Sequence, residues 1–211
     1  MDEQVDILAP PLFARTGEVK SRAQAYQDSD WIGTFNLWIV TREPEPAIIY
    51  QQRGFDRAWA PGLLDVTAGG HYLAGERLTD GLREVSEELG KEFSADAITH
   101  LGRKLYVGVN TDGTTKQNVI DVYMIEHNEP LSSYTPQVEE IYALCVCPIK
   151  ELVKAHRDES YHFTVKGLTA QGTPITIDVS KASFPENYDD YHRKIAVLAD
   201  RYFSGKHDLL Y

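Results

Sequence analysis

The stretch GGHYLAGERLTDGLREVSEELG, from Gly69 to Gly90, decides the fold of this chain. It opens with a glycine pair and a turn, and its second half predicts a helix from about Thr79 to Leu89. Thr79 can cap the first turn, and the negative charge of Asp80 suits the positive end of the helix dipole. Gly90 is the residue type that most readily ends a helix. The sequence therefore predicts a loop followed by a short helix.

The predicted helix has an apolar face and an acidic face. Its apolar residues recur at helical spacing: Leu78, Leu82, Val85 and Leu89. Three carboxylates lie side by side on a different face: Glu84, Glu87 and Glu88. Like charges this close repel unless a cation lies among them, and hard oxygen ligands suit Mg²⁺ or Mn²⁺. The spacing by itself favours the commoner alternative, a solvated acidic face.

The wider pattern reverses that preference, because it resembles the Nudix box, the signature of the Nudix hydrolase family. The positions that match the box are Gly70, Glu76, Arg83, Glu84, Val85, Glu87, Glu88 and Gly90. Two features depart from it. The spacer between Glu76 and Arg83 has six residues where the family has seven, and Lys91 stands where the family prefers an apolar residue.

The resemblance implies an α+β fold, the Nudix fold, in which a mixed β-sheet is sandwiched between helices. It implies hydrolysis of a diphosphate linked to another moiety, with Mg²⁺ as cofactor and Mn²⁺ as its alternative. Glu87 and Glu88 would be the principal metal ligands, and Glu84 would be a further ligand or the base. A backbone carbonyl in Gly69–Gly70 would complete the metal shell.

Further roles follow from the same resemblance. Arg83 would orient one of the glutamates through a charge-assisted hydrogen bond, and Glu76 would brace the loop. The family often has a distal glutamate as base after the box, and Glu139 and Glu140 lie in that region. The alternative for this pair is that both are exposed acids without a role.

Two residues are candidates for substrate binding. Arg53 precedes the box at the end of a predicted strand and would contact a substrate phosphate, or else pair with a surface acid. His71 follows the glycine pair and would face the substrate, although a lone histidine in a loop is more often solvated.

Composition and charge narrow the class of function. The chain has 211 residues, of which 42% are apolar and 25% charged, and no stretch is apolar enough to span a membrane. The net charge of −11 argues against general affinity for nucleic acid or anionic membranes. The N-terminus, MDEQVDILAPPLF, lacks the features of an export signal, so we expect a cytoplasmic protein. Cys145 and Cys147 are predicted to be buried thiols.

Alternative functions remain open. Ser21-Arg22 and Asp30-Trp31 resemble the lead-in of the branch that contains isopentenyl diphosphate isomerase, with Tyr26 where a histidine is usual. That isomerase uses a cysteine at the entrance of the box, and this chain has the stretch Ala68–His71 without one, so isomerase activity is rejected. The remaining rival is a catalytically silent Nudix domain that binds a nucleotide or metabolite. The expected partners are a small-molecule diphosphate substrate and, by family habit, a second copy in a homodimer.

The remaining sequence predicts three parts: a lead-in over 1–30, a Nudix domain over 31–157, and a C-terminal β-hairpin and helix over 158–211. Turns are predicted at Thr16 to Glu18 and at Asn110 to Thr115. A C-terminal helix is predicted from Asn187 to Phe203, and the residues that end the chain, GKHDLLY, are predicted to fray. Predicted strands are 34–41, 47–53, 97–109, 118–126, 138–147, 161–168 and 174–179.

Overall fold

The computed structural model describes residues 3–109, 113–206 and 208–211, which form an eleven-stranded mixed sheet and four α-helices. The strands are β1 (Gln4–Ala9), β2 (Ala14–Ser21), β3 (Trp31–Thr41), β4 (Ala47–Arg53), β5 (Leu64–Asp65), β6 (Ala68–His71), β7 (Thr99–Val109), β8 (Thr115–Glu126), β9 (Ile141–Pro148), β10 (Phe163–Thr169) and β11 (Pro174–Val179). The helices are α1 (Arg22–Gln27), α2 (Leu82–Leu89), α3 (Ile149–Ala155) and α4 (Tyr191–Phe203).

Strand β3 is the centre of the sheet. One of its edges pairs in parallel with β8 from Trp31 to Val40. The other edge pairs antiparallel with three strands in succession: β1, then β6, then β4. The β-branched and aromatic side chains of β3 suit this position, and the strand is buried from Leu37 to Thr41.

Strands β3 and β4 separate after a short contact, and the gap between them holds the glycine-rich segment. Their described pairing joins Ile39–Thr41 to Ala47–Ile49, after which β5 follows β4 and β6 follows β3. Thr67 joins the two sides of the gap. Its Oγ1 accepts a hydrogen bond from the Ile39 N–H at 3.0 Å and donates one to the Ile49 carbonyl. The sheet is therefore open where the glycine pair lies.

Helices cover both faces of the sheet. Val85 and Leu89 of α2 pack with Phe35 on one face. On the opposite face, Ile195 of α4 packs with Trp38 and with other buried residues of the sheet. This arrangement confirms the predicted fold class, an α+β structure with a mixed sheet between helices.

Several elements have the predicted bounds, and others were placed wrongly. The strands at 47–53 and 174–179 are confirmed as β4 and β11. The predicted turn from Thr16 to Glu18 is wrong, because these residues form a bulge within β2, where the register with β1 shifts and Gly17 has φ 89°. The turn lies at 10–13 instead. Residues 110–112 of the other predicted turn lie outside the described residues, and β7 and β8 pair antiparallel on either side.

The helix of the box starts later than predicted. A 3₁₀ turn spans Leu78–Gly81, and the α-helix starts at Leu82. Thr79 is therefore not its cap, and Leu78 is 40% exposed and does not join the buried apolar face. Gly90 ends the helix in the left-handed conformation at φ 63°, as the sequence predicts.

The C-terminal region is more ordered than the sequence predicts. The last helix starts at Tyr191, after Asp190 at φ 53°. The prediction of a frayed end is wrong for the described residues. Leu209 is buried, and the Tyr211 N–H donates to the Leu101 carbonyl at 2.7 Å. The predicted hairpin is β10 and β11, and β10 joins the sheet beside β9.

Cys145 and Cys147 are buried free thiols, as predicted, with their sulfur atoms 3.8 Å apart. Within the described ranges, no helix has the length and hydropathy needed to cross a bilayer.

Candidate active site

A cavity of about 700 Å³ lies where the gap in the sheet meets α2 and the C-terminal segment. Its acidic wall is formed by Glu84 and Glu88, which face it from α2, and by Gly69 and Gly70 of β6. These residues come from the two ends of the stretch from Gly69 to Gly90. The fold therefore brings the glycine pair and the acidic helix together at one cavity, as the pattern implies.

The main chain of β6 and the helix carboxylates are closely fitted. The Gly69 N–H donates to Glu88 Oε2 at 3.1 Å. A Cβ atom at Gly70 would lie 2.2 Å from the carboxyl carbon of Glu84. Any side chain at position 70 would therefore displace Glu84, which explains why the pattern requires glycine here.

The two carboxyl groups of this wall are desolvated. The pKa of Glu88 is raised to about 8, chiefly by burial and also by the neighbouring Glu84 and Glu140, whereas the Gly69 hydrogen bond opposes the rise. Burial also raises the pKa of Glu84 to about 6, although the Arg83 guanidinium opposes this. Buried carboxylates that crowd each other are unfavourable as anions unless a cation joins them.

Arg83 connects the box residues. Its guanidinium donates to Glu84 Oε1 at 2.8 Å, to Glu87 Oε2 at 2.8 Å and to Glu76 Oε1 at 3.1 Å. The other oxygen of Glu76 accepts the Leu73 N–H at 2.7 Å, which closes the loop. The six-residue spacer contains the 3₁₀ turn at 78–81, and Glu76 reaches Arg83 across it.

Glu87 lies away from the cavity lining, with 54% of its side chain exposed and its carboxylate paired with Arg83. No group of three or more His, Cys, Asp or Glu side chains lies close enough to hold a metal ion in the part of the chain that the structure describes. The donor set nevertheless fits a hard divalent cation. Glu84 and Glu88 supply carboxylate oxygens, and Gly69–Gly70 supplies main-chain carbonyls without a side chain in the way.

Arg53 and one of the two distal acids, Glu140, also line the cavity. The Arg53 guanidinium is 5.0 Å from the ring centroid of Trp59, and its Nη1 is 3.5 Å from Asp65 Oδ2. Arg53 thus pairs with an acid while it lines the cavity. Glu140 also lines the cavity, with Arg57 3.4 Å from its carboxylate, whereas Glu139 is exposed.

His71 is held by protein partners and is not merely solvated. Its Nδ1 lies 3.3 Å from Arg22 Nη1, and its Nε2 lies 2.7 Å from the Tyr26 hydroxyl. Because arginine only donates, Nδ1 is the acceptor, and Nε2 carries the proton toward Tyr26. Tyr26 in turn donates to Asn118 Oδ1 at 3.3 Å. The pKa of His71 is lowered to about 3, chiefly by burial and also by the Arg22 charge, so the ring is neutral.

The sequence analysis missed several side chains that line this cavity: Tyr26, Thr34, Arg57, Asp65 and Lys104. Lys104 is buried, and its Nζ donates to Asn187 Oδ1 at 2.9 Å and to Asp189 Oδ1 at 2.8 Å. For Thr34 a sequence signal existed, since a polar residue interrupts an apolar strand at a buried position. Lys104 carried no such signal, because its partners lie more than 80 residues further along the chain.

Comparison with known proteins gives a consistent result. Residues 34–166 match the NUDIX domain model. The chain is 31% identical over 197 residues to an uncharacterized Nudix hydrolase of Clostridium acetobutylicum, and the match covers 87% of this chain and 91% of that protein. It is 32% identical over 154 residues to Nudix hydrolase 3 of Arabidopsis thaliana, which covers 71% of this chain and 20% of that protein.

Solved structures show the same fold. A crystal structure from Deinococcus radiodurans superimposes with a TM-score of 0.54 at 20% identity, and the match covers 72% of this chain and 87% of that one. The MutT protein of Methanosarcina mazei Go1 gives a TM-score of 0.53 at 14% identity, and the match covers 82% of this chain and 95% of that one.

A mixed sheet between helices, with a glycine pair and an acidic helix at one cavity, is the arrangement of a Nudix-type domain. The chain belongs to the Nudix family. It is a hydrolase that acts on pyrophosphate bonds.

Proposed function

We propose that this hydrolase is a Mg²⁺-dependent pyrophosphohydrolase that cleaves a nucleoside diphosphate linked to another moiety, or a related diphosphate metabolite. The observation that carries the proposal is the acidic wall, where Glu84 and Glu88 meet Gly69 and Gly70 at one cavity. Mn²⁺ shares the preference for oxygen ligands and is the alternative cation.

The residues that would hold the metal are Glu84, Glu87 and Glu88, with a carbonyl of Gly69–Gly70. Glu87 lies one helical turn from Arg83, on the same helix as the other two, so its carboxylate reaches the wall if it leaves the guanidinium. When bound, the cation would neutralise the diphosphate and lower the pKa of a bound water.

Arg83 is assigned a positioning role, since its contacts with Glu76, Glu84 and Glu87 set the orientation of these carboxylates. Glu76 supports it by joining the loop to the guanidinium.

Two carboxyl groups are candidates for the base. Glu84 has a pKa raised toward neutrality, which suits the removal of a proton from an attacking water. Glu140 lines the same cavity and is the candidate among the distal acids, whereas the exposed position of Glu139 does not favour it. Arg53 and His71 are proposed to contact the substrate, and a homodimer is proposed as the assembly.

The structure gives no support to isomerase chemistry. Cys145 and Cys147 are buried in the core and do not line the cavity, so neither thiol is placed to protonate an alkene. The remaining alternative is a domain that binds the same ligands without turnover.

A hydrolysis screen with Mg²⁺ and with Mn²⁺, in which ion-exchange chromatography separates the monophosphate products from the intact substrates, tests the proposal. The panel holds nucleoside diphosphate sugars, dinucleotides, nucleoside triphosphates and prenyl diphosphates. Cleavage of the diphosphate bond that requires the cation and is lost in Glu87→Gln and in Glu88→Gln is the expected result, with the exposed Glu92→Gln as the matched control. Silence across the panel, with a ligand that still raises the melting temperature, would favour the binding domain.

A further inference from the structure

Strand β3 carries polar side chains on a face that is otherwise apolar. Thr34 and Asn36 alternate with Phe35 and Leu37, so they lie on the same side of the strand as Trp38. Trp38 is part of the core, whereas Thr34 and Asn36 line the cavity. Polar side chains thus replace apolar ones where this face of β3 meets the cavity.

Of the two polar side chains, Thr34 is the one whose hydroxyl lacks a hydrogen bond to any described residue, whereas Asn36 donates to the Tyr191 hydroxyl at 3.0 Å. Thr34 is 6% exposed, and its Oγ1 has no hydrogen-bond partner among the described residues. A buried hydroxyl without a partner is destabilising, so it calls for a function. Thr34 lies opposite His71 in the β3–β6 ladder, which places it next to the acidic wall.

Asp65 and Lys104 bring opposite charges to the same cavity. Both are buried, at 8% and 2% exposure, and both line the cavity. Burial raises the pKa of Asp65 and lowers the pKa of Lys104, and the charge of each group partly opposes the shift of the other. Asp65 has Arg53 at 3.5 Å, and Lys104 uses its ammonium on Asn187 and Asp189. Because these charged groups are already largely removed from water, an apolar ligand beside them would add to their desolvation cost.

We propose that Thr34, Asp65 and Lys104 form a polar subsite that selects a hydroxylated group, such as a sugar, as the moiety linked to the diphosphate. The inference rests on the proposed function and deepens it by naming the substrate class. A sugar hydroxyl both donates and accepts hydrogen bonds, so it suits a carboxylate, a hydroxyl and an ammonium together. A prenyl chain at the same place would leave the Thr34 hydroxyl unpaired and would desolvate Asp65 further.

Binding of two non-hydrolysable probes tests the subsite without any need for turnover. The probes are the methylene-bridged analogues of ADP-ribose and of geranyl diphosphate, titrated calorimetrically into the full chain with Mg²⁺. We expect the sugar probe to bind at least about tenfold more tightly than the prenyl probe, because several hydrogen bonds distinguish them. Equal binding, tighter binding of the prenyl probe, or no binding of the sugar probe would overturn the inference.

Thr34→Val isolates the hydroxyl. It should weaken binding of the sugar probe by about two- to tenfold. It should not weaken binding of the prenyl probe, which leaves the hydroxyl unpaired, and it should not lower the melting temperature, since the hydroxyl has no protein partner to lose. The matched control is Thr41→Val on the same strand, where the hydroxyl bonds Asn128 Oδ1 at 3.1 Å. This control should lower the melting temperature and leave both affinities unchanged. The subsite is contradicted if Thr34→Val weakens binding of both probes equally, or if it weakens binding of neither probe.

The two proposals fail in different ways. Metal-dependent hydrolysis together with equal binding of both probes refutes the subsite and keeps the pyrophosphohydrolase. Selective binding of the sugar probe without hydrolysis of any diphosphate refutes the pyrophosphohydrolase and keeps the subsite.

Discussion

Gly69 donates its backbone N–H to Oε2 of Glu88 across 3.1 Å, which joins strand β6 to helix α2 at the acidic wall. Glu88 is 7% exposed, and its burial disfavours the charged form of the carboxylate that this bond holds in place. A strand amide thereby fixes where the carboxylate lies, and would present the proposed cation with a positioned ligand. Four predictions follow from this wall and from the core beside it.

Replacing Glu88 by Gln should remove metal-dependent turnover and keep the fold. The amide retains the size of the side chain and can still accept the Gly69 hydrogen bond, but it is a much weaker ligand for Mg²⁺. We expect kcat to fall by at least about 100-fold, since a metal supplies several kcal/mol of charge stabilisation. Steady-state kinetics and Mg²⁺ titration calorimetry measure the effect, with Glu92→Gln as control. Retained turnover with normal Mg²⁺ affinity would refute the role of Glu88.

Arg83→Lys should impair catalysis more than stability. One ammonium cannot hold Glu76, Glu84 and Glu87 in the geometry that a guanidinium provides. We expect kcat to fall by about 10- to 100-fold, as for other groups that orient metal ligands. Because the ion pairs are partly exposed, the free energy of unfolding should change by about 1 kcal/mol or less. Arg157→Lys at an exposed position is the control, and a large loss of stability in Arg83→Lys would point to a purely structural role.

Gly70→Ala should displace Glu84. The new Cβ would lie 2.2 Å from the carboxyl carbon, so one of the two groups must move. A shift of about 1 Å in a catalytic group can cost about 100-fold in rate, and we expect a loss of that order in kcat. Gly172→Ala is a useful contrast. Its φ of 83° strains an alanine in open space, so it should cost about 1 kcal/mol in stability and leave kcat unchanged. Normal kcat in Gly70→Ala would show that Glu84 does not act from this position.

The buried His192 should make the protein sensitive to acid. Its ring contacts Trp38, Tyr50 and Phe184, neither ring nitrogen has a partner among the described residues, and burial lowers its pKa to about 3. The folded state therefore keeps the ring neutral while the unfolded chain takes up a proton below pH 6.5. The stabilisation is complete above that pH and is lost as the pH falls toward 3.

At pH 5 this single group should lower the free energy of unfolding by about 2 kcal/mol relative to neutral pH. His192→Phe should remove that part of the loss, as measured by urea unfolding from pH 7.5 to pH 5. His162→Phe, at an exposed position, should leave the pH dependence unchanged. An unchanged acid loss in His192→Phe would contradict this assignment.

The resemblance of the stretch from Gly69 to Gly90 to the Nudix box was enough to predict the fold class and to bring Glu84, Glu88 and the glycine pair together, whereas spacing alone favoured a solvated acidic face. The positions of Val85 and Leu89 fix which face of α2 packs on the sheet, and that choice turns Glu84 and Glu88 to the cavity. Gly90 ends the helix because glycine reaches positive φ without strain. These results depend on neighbours within a few residues, so a single sequence carries them.

Other features depended on contacts between distant parts of the chain, and tertiary structure alone decided them. The short spacer of the box folds as a 3₁₀ turn, and Glu76 reaches Arg83 across it. His71 is partly buried, and its Nε2 is hydrogen-bonded to Tyr26, which comes from a helix 45 residues earlier. Lys104 is buried as a cation because Asn187 and Asp189 meet it from the C-terminal segment. The burial and charge of such groups depend on which strands and segments assemble around them, and no local pattern in the sequence specifies that assembly.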